Sequence, residues 1–232
     1  MPHSYQINND AQPIAATSPS RRDEGLPEKG FVFACFCQIG RIEEARFALW
    51  MGILARVPSA VLWLLSEDDL AIRNLRAAAQ THGIDPDRLV FACRRPKPDH
   101  LARLRLAGLM LDTAPYGAHT TASDALWAGV PFLASPGESF ASRVGASLLD
   151  AIGLPELIAP SPEAYAEIAV ALATDAARLE NLRNKLAANR PTMPLFDTAQ
   201  FVRALEAAYR AMWDRREAGL PPGAIDVPEN GS

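Results

Sequence analysis

His119, Thr120, Thr121 and Asp124 fall in one short segment, Asp112-Thr-Ala-Pro-Tyr-Gly-Ala-His-Thr-Thr-Ala-Ser-Asp-Ala-Leu-Trp-Ala-Gly129. A short apolar run, Leu109 to Leu111, leads into a Pro/Gly turn, and a helix is expected to open at the His-Thr-Thr triplet. A helix start offers free backbone N–H groups, the positive end of the helix dipole and, here, two hydroxyls. That combination binds anions, and a nucleotide pyrophosphate is a common occupant. Asp124 would stand near the first turn of the same helix, where a carboxylate accepts hydrogen bonds from ribose hydroxyls. The same residues also suit an ordinary capped helix with an acid that favours the dipole. Taken alone, the segment leaves both readings open.

The elements around this segment decide what it can face. Apolar runs of strand length occur at Phe31–Phe36, Ala60–Leu65, Leu89–Ala92, Leu109–Leu111 and Pro131–Ala134, with a short one at Glu156–Ile158. Helical patterns lie between and after them, at 42–56, 68–82, 98–107, 121–128 and 139–152. Strands that are apolar on both faces belong in a parallel sheet covered by helices. The alternation therefore predicts an α/β fold: a single Rossmann-like, doubly wound lobe. Ligands in such sheets bind beyond the carboxyl ends of the strands, where strand order reverses. Candidate positions are thus Gln38 and Arg41, Arg94 to His100, Thr113 to Asp124, and Ser135 to Ser139. From residue 160 onward the chain reads as a helical C-terminal extension, with helices at 161–174, 175–189 and about 198–218. Residues 1–29 are polar and proline-punctuated and read as a linker or arm, 30–218 as the lobe with its C-terminal helices, and 219–232 as a flexible tail.

Composition narrows the partners. The chain has 232 residues, is 49% hydrophobic and 22% charged, and carries a formal net charge of −4. Without a basic field, neither nucleic acid nor an anionic membrane surface is an expected partner. Any anion must be held by a local cluster. Cys35, Cys37 and Cys93 lack metal-ligand spacing, and Cys35 and Cys37 would share one face of a strand. They read as buried free thiols in a reducing cytoplasm. No apolar run approaches membrane-spanning length, and the first residues lack the apolar core of a signal peptide. Trp50, Trp63, Trp127 and Trp213 sit among apolar neighbours and are expected in the core. No serine-histidine-aspartate arrangement, glycosidase-type carboxylate pair or metal cluster stands out.

Beyond these patterns the chain resembles a known family. The motifs are Arg56-Val-Pro-Ser-Ala-Val-Leu-Trp-Leu-Leu65, Leu111-Asp-Thr113 and Ala118-His-Thr-Thr-Ala-Ser-Asp-Ala-Leu-Trp-Ala-Gly-Val-Pro131. They continue with Gly137-Glu-Ser-Phe-Ala-Ser-Arg-Val144, Gly153-Leu-Pro-Glu-Leu-Ile158, and Pro194-Leu-Phe-Asp-Thr198 onward to Trp213. In this order, from Phe31 to Trp213, they resemble the carboxyl-terminal lobe of the O-linked N-acetylglucosamine (SPINDLY-type) protein glycosyltransferases. Tyr5-Gln-Ile-Asn8 is similar to the segment that joins that family's two lobes. The resemblance implies the second half of a GT-B fold, a UDP-N-acetylglucosamine donor, a protein acceptor and no metal or other cofactor.

The resemblance also implies residue roles. His119, Thr120 and Thr121 match the pyrophosphate-binding helix start, and Asp124 matches the ribose-binding aspartate. Lys97 and His100 match the residues that embrace the uridine, and Gln38 matches a residue that contacts the phosphates. Arg41 stands where the family usually carries a lysine against the departing diphosphate, and is the expected catalytic residue. An arginine there keeps the charge but is larger and forked. Gly40 replaces an aromatic, and Pro98 enters the helix after the third strand. Nothing in these residues corresponds to the family's first lobe or its tetratricopeptide array, so two expectations stand: the sequence is a fragment of such an enzyme, or a separate chain carrying the first lobe or the repeats is its partner.

Overall fold

The computed structural model describes residues 1–228. Five parallel strands form one sheet: β1 Val32–Cys35, β2 Val61–Leu65, β3 Leu89–Ala92, β4 Leu109–Leu111 and β5 Phe132–Leu133, in the order β3-β2-β1-β4-β5. Every residue of β1 and β4 is buried, as expected of strands covered on both faces. Helices α1 Glu44–Arg56, α2 Asp69–Thr81, α3 Lys97–Leu104, α4 Thr120–Ala128 and α5 Phe140–Ala151 follow the five strands in turn. Right-handed crossovers put α1 and α2 on one face and α3 and α4 on the other. Contacts agree, because α3 packs on α4, whereas α1 packs on α6. The extension comprises α6 Pro162–Thr174, α7 Ala176–Asn189 and α8 Thr198–Glu217. The Rossmann-like α/β lobe with a helical extension is therefore present.

Strand order reverses between β1 and β4, whose registers align Phe33 with Leu109. Loops leaving those two strands, which carry Gln38, Arg41 and the His-Thr-Thr segment, consequently flank the switch point. One expected strand fails. Pro155–Leu157 forms a 3-10 turn, and an isolated bridge between Ala134 and Ile158 is all the pairing that remains. Pro155 lacks an amide donor and favours the helical φ of that turn. Trp213 also departs from expectation. It is 60% exposed, because α8 buries its Ala204 and Ala208 side and turns Tyr209, Met212 and Trp213 outward. Trp50 and Trp63 are fully buried, and Trp127 is half-buried. Cys35 and Cys37 are buried and free, while Cys93 is free but exposed, contrary to expectation.

The arm is irregular apart from a 3-10 turn at Arg22–Glu24, yet it is packed. Leu26 joins the hydrophobic core, and Asn8 is a buried polar hub. The Ser123 hydroxyl donates to Asn8 Oδ1 at 2.6 Å, Asn8 Nδ2 donates to the Leu195 carbonyl at 3.3 Å, and the Thr198 hydroxyl donates to the Asn8 carbonyl at 2.8 Å. Asn8 thus ties α4 to the start of α8. Asn8→Ala leaves the Ser123 hydroxyl and Leu195 carbonyl unsatisfied and is expected to cost about 1–3 kcal/mol. In a chain of this size that lowers Tm by roughly 2–4 °C per kcal/mol, read from thermal melting. An unchanged Tm would contradict this role for the arm. Residues 219–228 carry no regular element, and the rest of the expected tail, 229–232, lies outside the described residues.

Candidate functional site

The site begins at the N-terminus of α4. Helices α2, α5, α6, α7 and α8 are each closed by a side chain, from Asp68, Ser139, Ser161, Asp175 and Asp197 respectively. No side chain caps α4, and its first α-helical bond runs from the Ser123 N–H to the His119 carbonyl. The amides of the opening turn, Thr120 to Ala122, therefore point out of the helix beside the positive dipole end. Helices α1 and α3 also lack side-chain caps. All three uncapped helices leave strands at the carboxyl edge of the sheet, and α1 and α4 flank the switch point.

The His119 ring is engaged at both nitrogens. Nε2 lies 3.2 Å from the Ala141 carbonyl, and Nδ1 lies 2.9 Å from the Tyr5 hydroxyl. Tyr116 stacks on the ring at 5.0 Å and 19°, and Phe140 meets it edge-on. Thr120 is exposed, and Thr121 is half-buried with its hydroxyl toward the Cys37 thiol.

Asp124 and Lys97, given separate roles from the sequence, form one ion pair linking α3 to α4. Only Oδ2 of Asp124 takes part. Oδ1 is buried without a partner among the described residues, an acceptor that no protein donor meets. Burial raises the Asp124 pKa, and Lys97 opposes that rise. His100 lies three residues after Lys97 and is held by Arg103. Arg103 Nε and a terminal nitrogen approach His100 Nδ1 at 3.2 and 3.1 Å. A guanidinium only donates, so Nδ1 must accept and the proton of the neutral ring sits on Nε2. Burial, reinforced by the charges of Arg103 and Lys97, pushes the His100 pKa down to about 4. Arg103 is itself buried, donates to the Cys93 carbonyl at 2.7 Å, and pairs with Glu24 of the arm at 3.5 Å.

Arg41 closes a 3-10 turn, Ile39–Arg41, just after β1. Its guanidinium carbon lies 4.0 Å from the Tyr116 ring centroid, so Arg41, Tyr116 and His119 are layered beside the α4 start. It forms no ion pair with Glu43 or Glu44. Gln38 opens the same turn, but its exposed side chain lines a cleft toward β2, with Ser66, Glu67 and Arg94. The structure thus gathers Arg41, His119, Thr120 and Thr121 into one cluster and Lys97, His100 and Asp124 into an adjoining one, and leaves Gln38 at the rim.

Sequence reading missed the group beneath this surface. Asp112 is buried, and its Oδ1 accepts the Ala118 N–H at 2.6 Å, which shapes the turn into α4. Thr113 adds a bond from its hydroxyl to the Tyr116 carbonyl at 2.7 Å. The other carboxyl oxygen faces Gly117 and Gly145, where an added Cβ would come within 3.2 and 3.0 Å of it. Burial drives the Asp112 pKa well above the usual range. Cys37 lies under the same turn, and hydrogen bonds from Cys35, Thr113 and Thr121 together with the Arg41 charge lower its thiol pKa against the effect of burial. An acid directly after an apolar strand, followed by a hydroxyl residue, was the available signal for Asp112.

The sequence matches the model of Glycosyl transferase family 41 over residues 5–205. It is 39% identical to a probable UDP-N-acetylglucosamine–peptide N-acetylglucosaminyltransferase SEC of Arabidopsis thaliana, across 99% of this chain and 24% of that protein. It is 37% identical to a UDP-N-acetylglucosamine–peptide N-acetylglucosaminyltransferase of Caenorhabditis elegans, across 94% of this chain and 19% of that one. Among solved structures, an O-GlcNAc transferase mutant from Thermobaculum terrenum superposes with a TM-score of 0.79 at 31% identity, over 94% of this chain and 40% of that chain. The chain spans about a quarter or less of the two curated relatives.

Proposed function

The chain belongs to glycosyl transferase family 41, and from that premise we propose that it is the donor-binding lobe of a protein O-glycosyltransferase that moves N-acetylglucosamine from UDP-N-acetylglucosamine to Ser or Thr hydroxyls. The observation that carries this reading is the uncapped α4 start beside an Asp124 with a free, buried carboxylate oxygen. A diphosphate fits the first, and a ribose hydroxyl fits the second. Lys97 and His100 border the ribose position on the α3 side and are assigned to the uridine, with Gln38 assigned to the phosphates from the rim. His119, Thr120 and Thr121 form the diphosphate cradle, with the opening-turn amides and the threonine hydroxyls as its donors and His119 at its entry.

In an inverting transfer the acceptor oxygen bonds to the anomeric carbon as the bond to UDP breaks, the electron pair departs on the diphosphate, and the acceptor's proton passes to a base on the acceptor side or to solvent. Donors aimed at that growing charge stabilise the transition state more than the ground state. The proposal gives this task to the α4 amides and Arg41 rather than to a metal. The proposed division is an arm at 1–29, the donor lobe at 30–218 and a tail at 219–232, with a cytoplasmic site of action that suits three free thiols. No described helix is long and apolar enough to cross a membrane. A first lobe, in the same longer protein or another chain, would supply the acceptor side. Exposed Tyr116 and Phe140 at the site, and the outward face of α8, support such a cover.

A second reading, a UDP-sugar-binding module without catalysis, is favoured by one observation: the Arg41 guanidinium rests on the Tyr116 ring. Transfer of labelled N-acetylglucosamine to a protein acceptor, with a first lobe supplied, separates the two. Arg41→Ala is expected to lower transfer by roughly 10²-fold while UDP affinity stays within a few-fold. Equal transfer by both forms would remove Arg41 from the mechanism, and no transfer by the wild type would favour the second reading.

A further inference from the structure

The arm reaches the anion cradle through the His119 ring. A carbonyl oxygen can only accept, so the contact with Ala141 requires the proton on His119 Nε2. In the neutral ring Nδ1 is then an acceptor, and the Tyr5 hydroxyl is its donor. Burial and the neighbouring Tyr116 raise the Tyr5 pKa, which keeps that phenol protonated. The Ala141 carbonyl also accepts the Gly117 N–H at 3.1 Å, so the start of α5 is bound to the loop before α4 at two points. Tyr5 in turn packs edge-on against Phe140, the first residue of α5, at 4.9 Å. The arm continues along α4, with Asn8 meeting Ser123 and the Gln12 carbonyl accepting the Trp127 indole N–H at 3.1 Å.

Both His119 nitrogens are committed to the protein, so the ring has no donor left for a phosphate. We propose that His119 acts through its ring as a strut between α4 and α5, and that Tyr5 is the positioning residue that holds this strut and so sets the diphosphate cradle. The inference rests on the donor-lobe reading above and deepens it. It makes the arm part of the donor site, so that a displacement of the arm is felt at the α4 amides.

The test compares the wild type with Tyr5→Phe, which removes one hydroxyl and keeps the edge contact with Phe140. Nitrogen NMR of the ligand-free protein reads the His119 ring, and titrations with UDP, inorganic pyrophosphate and uridine read the site. The wild type should show a protonated Nε2 and a hydrogen-bonded Nδ1, and Tyr5→Phe should lose the Nδ1 signature. Affinity for UDP and for pyrophosphate should fall together by roughly tenfold, the equivalent of one lost hydrogen bond, while uridine affinity holds. An unchanged ring signature or an unchanged pyrophosphate affinity in Tyr5→Phe overturns the proposal. Wild-type protein that binds neither UDP nor pyrophosphate overturns the donor-lobe reading instead, and the ring signature still decides the strut.

Discussion

Asp124→Ala is expected to weaken UDP binding by about 10²-fold, close to 3 kcal/mol, with the fold retained. The estimate combines two losses: a charged acceptor for ribose hydroxyls, at about 1.5–3 kcal/mol, and the partner that orients Lys97. Asp124→Asn keeps an oxygen at the Oδ1 position but not the charge, and should fall between wild type and Ala. Pyrophosphate has no ribose and should bind both variants as it binds the wild type. Equal losses for UDP and pyrophosphate would mean that the substitution deforms α4 rather than removing a ribose contact. The pH dependence has a definite sign. Burial raises the Asp124 pKa, so on acidification the carboxylate is protonated above the usual range of about 4, and UDP affinity falls there. Stability moves the other way for this group. A raised folded-state pKa contributes stability that is full below the unfolded value and is lost as pH rises through the folded one. Calorimetric titrations with UDP from about pH 7 to about pH 4, with melts at each pH, separate the two effects.

Asp112→Ala is expected to be the most damaging single substitution around the site. It strands the Ala118 N–H in a buried setting, at about 1–3 kcal/mol, and leaves a cavity where the carboxyl stood beside Gly117 and Gly145. A total near 2–4 kcal/mol lowers Tm by roughly 5–15 °C in a chain of this size. UDP binding should weaken as well, because the turn that presents α4 loses its anchor. Asp112→Asn should retain most of both properties, since burial already disfavours the charged carboxyl and an amide oxygen can accept from Ala118. With the pKa raised, the Asp112 contribution to stability is complete below the unfolded value and declines as pH rises through the folded one. Asp112→Asn should therefore flatten part of the loss of stability that accompanies rising pH. If Asn proves as harmful as Ala, the carboxyl is needed as a charge and this account of it fails.

These two residues also show what could be read from the chain before its fold was known. Asp124 was legible because its spacing from His119 placed it on the opening turns of a helix that had to follow a buried strand. Asp112 was not, because its significance is tertiary: Ala118, Gly117 and Gly145 converge on it from three positions along the chain. Among the described residues the five strands and eight helices followed from periodicity and breakers, with no boundary shifted by more than three residues. Glu156–Ile158 misled because apolar residues at a sheet edge do not make a strand when a proline precedes them. Trp213 misled for a related reason, since apolar neighbours along a helix do not reveal which face finds a partner. The Lys97–Asp124 pair and the Arg103–His100 contact join residues whose types were noted but whose meeting depends on how α3 packs on α4. Tyr5 was legible only as part of a joining segment, in an arm that composition marks as a linker, although it packs beside the site.

Whether the opening turn of α4 receives the diphosphate of a UDP-sugar is best tested by following backbone amide signals in a titration with UDP. The account predicts that the amides of Thr120, Thr121 and Ala122 shift most, followed by those around Lys97 and Asp124, while the amides at the side-chain-capped starts of α6, α7 and α8 stay still. A titration in which UDP leaves the α4 amides unmoved, or moves the capped helices instead, would contradict it.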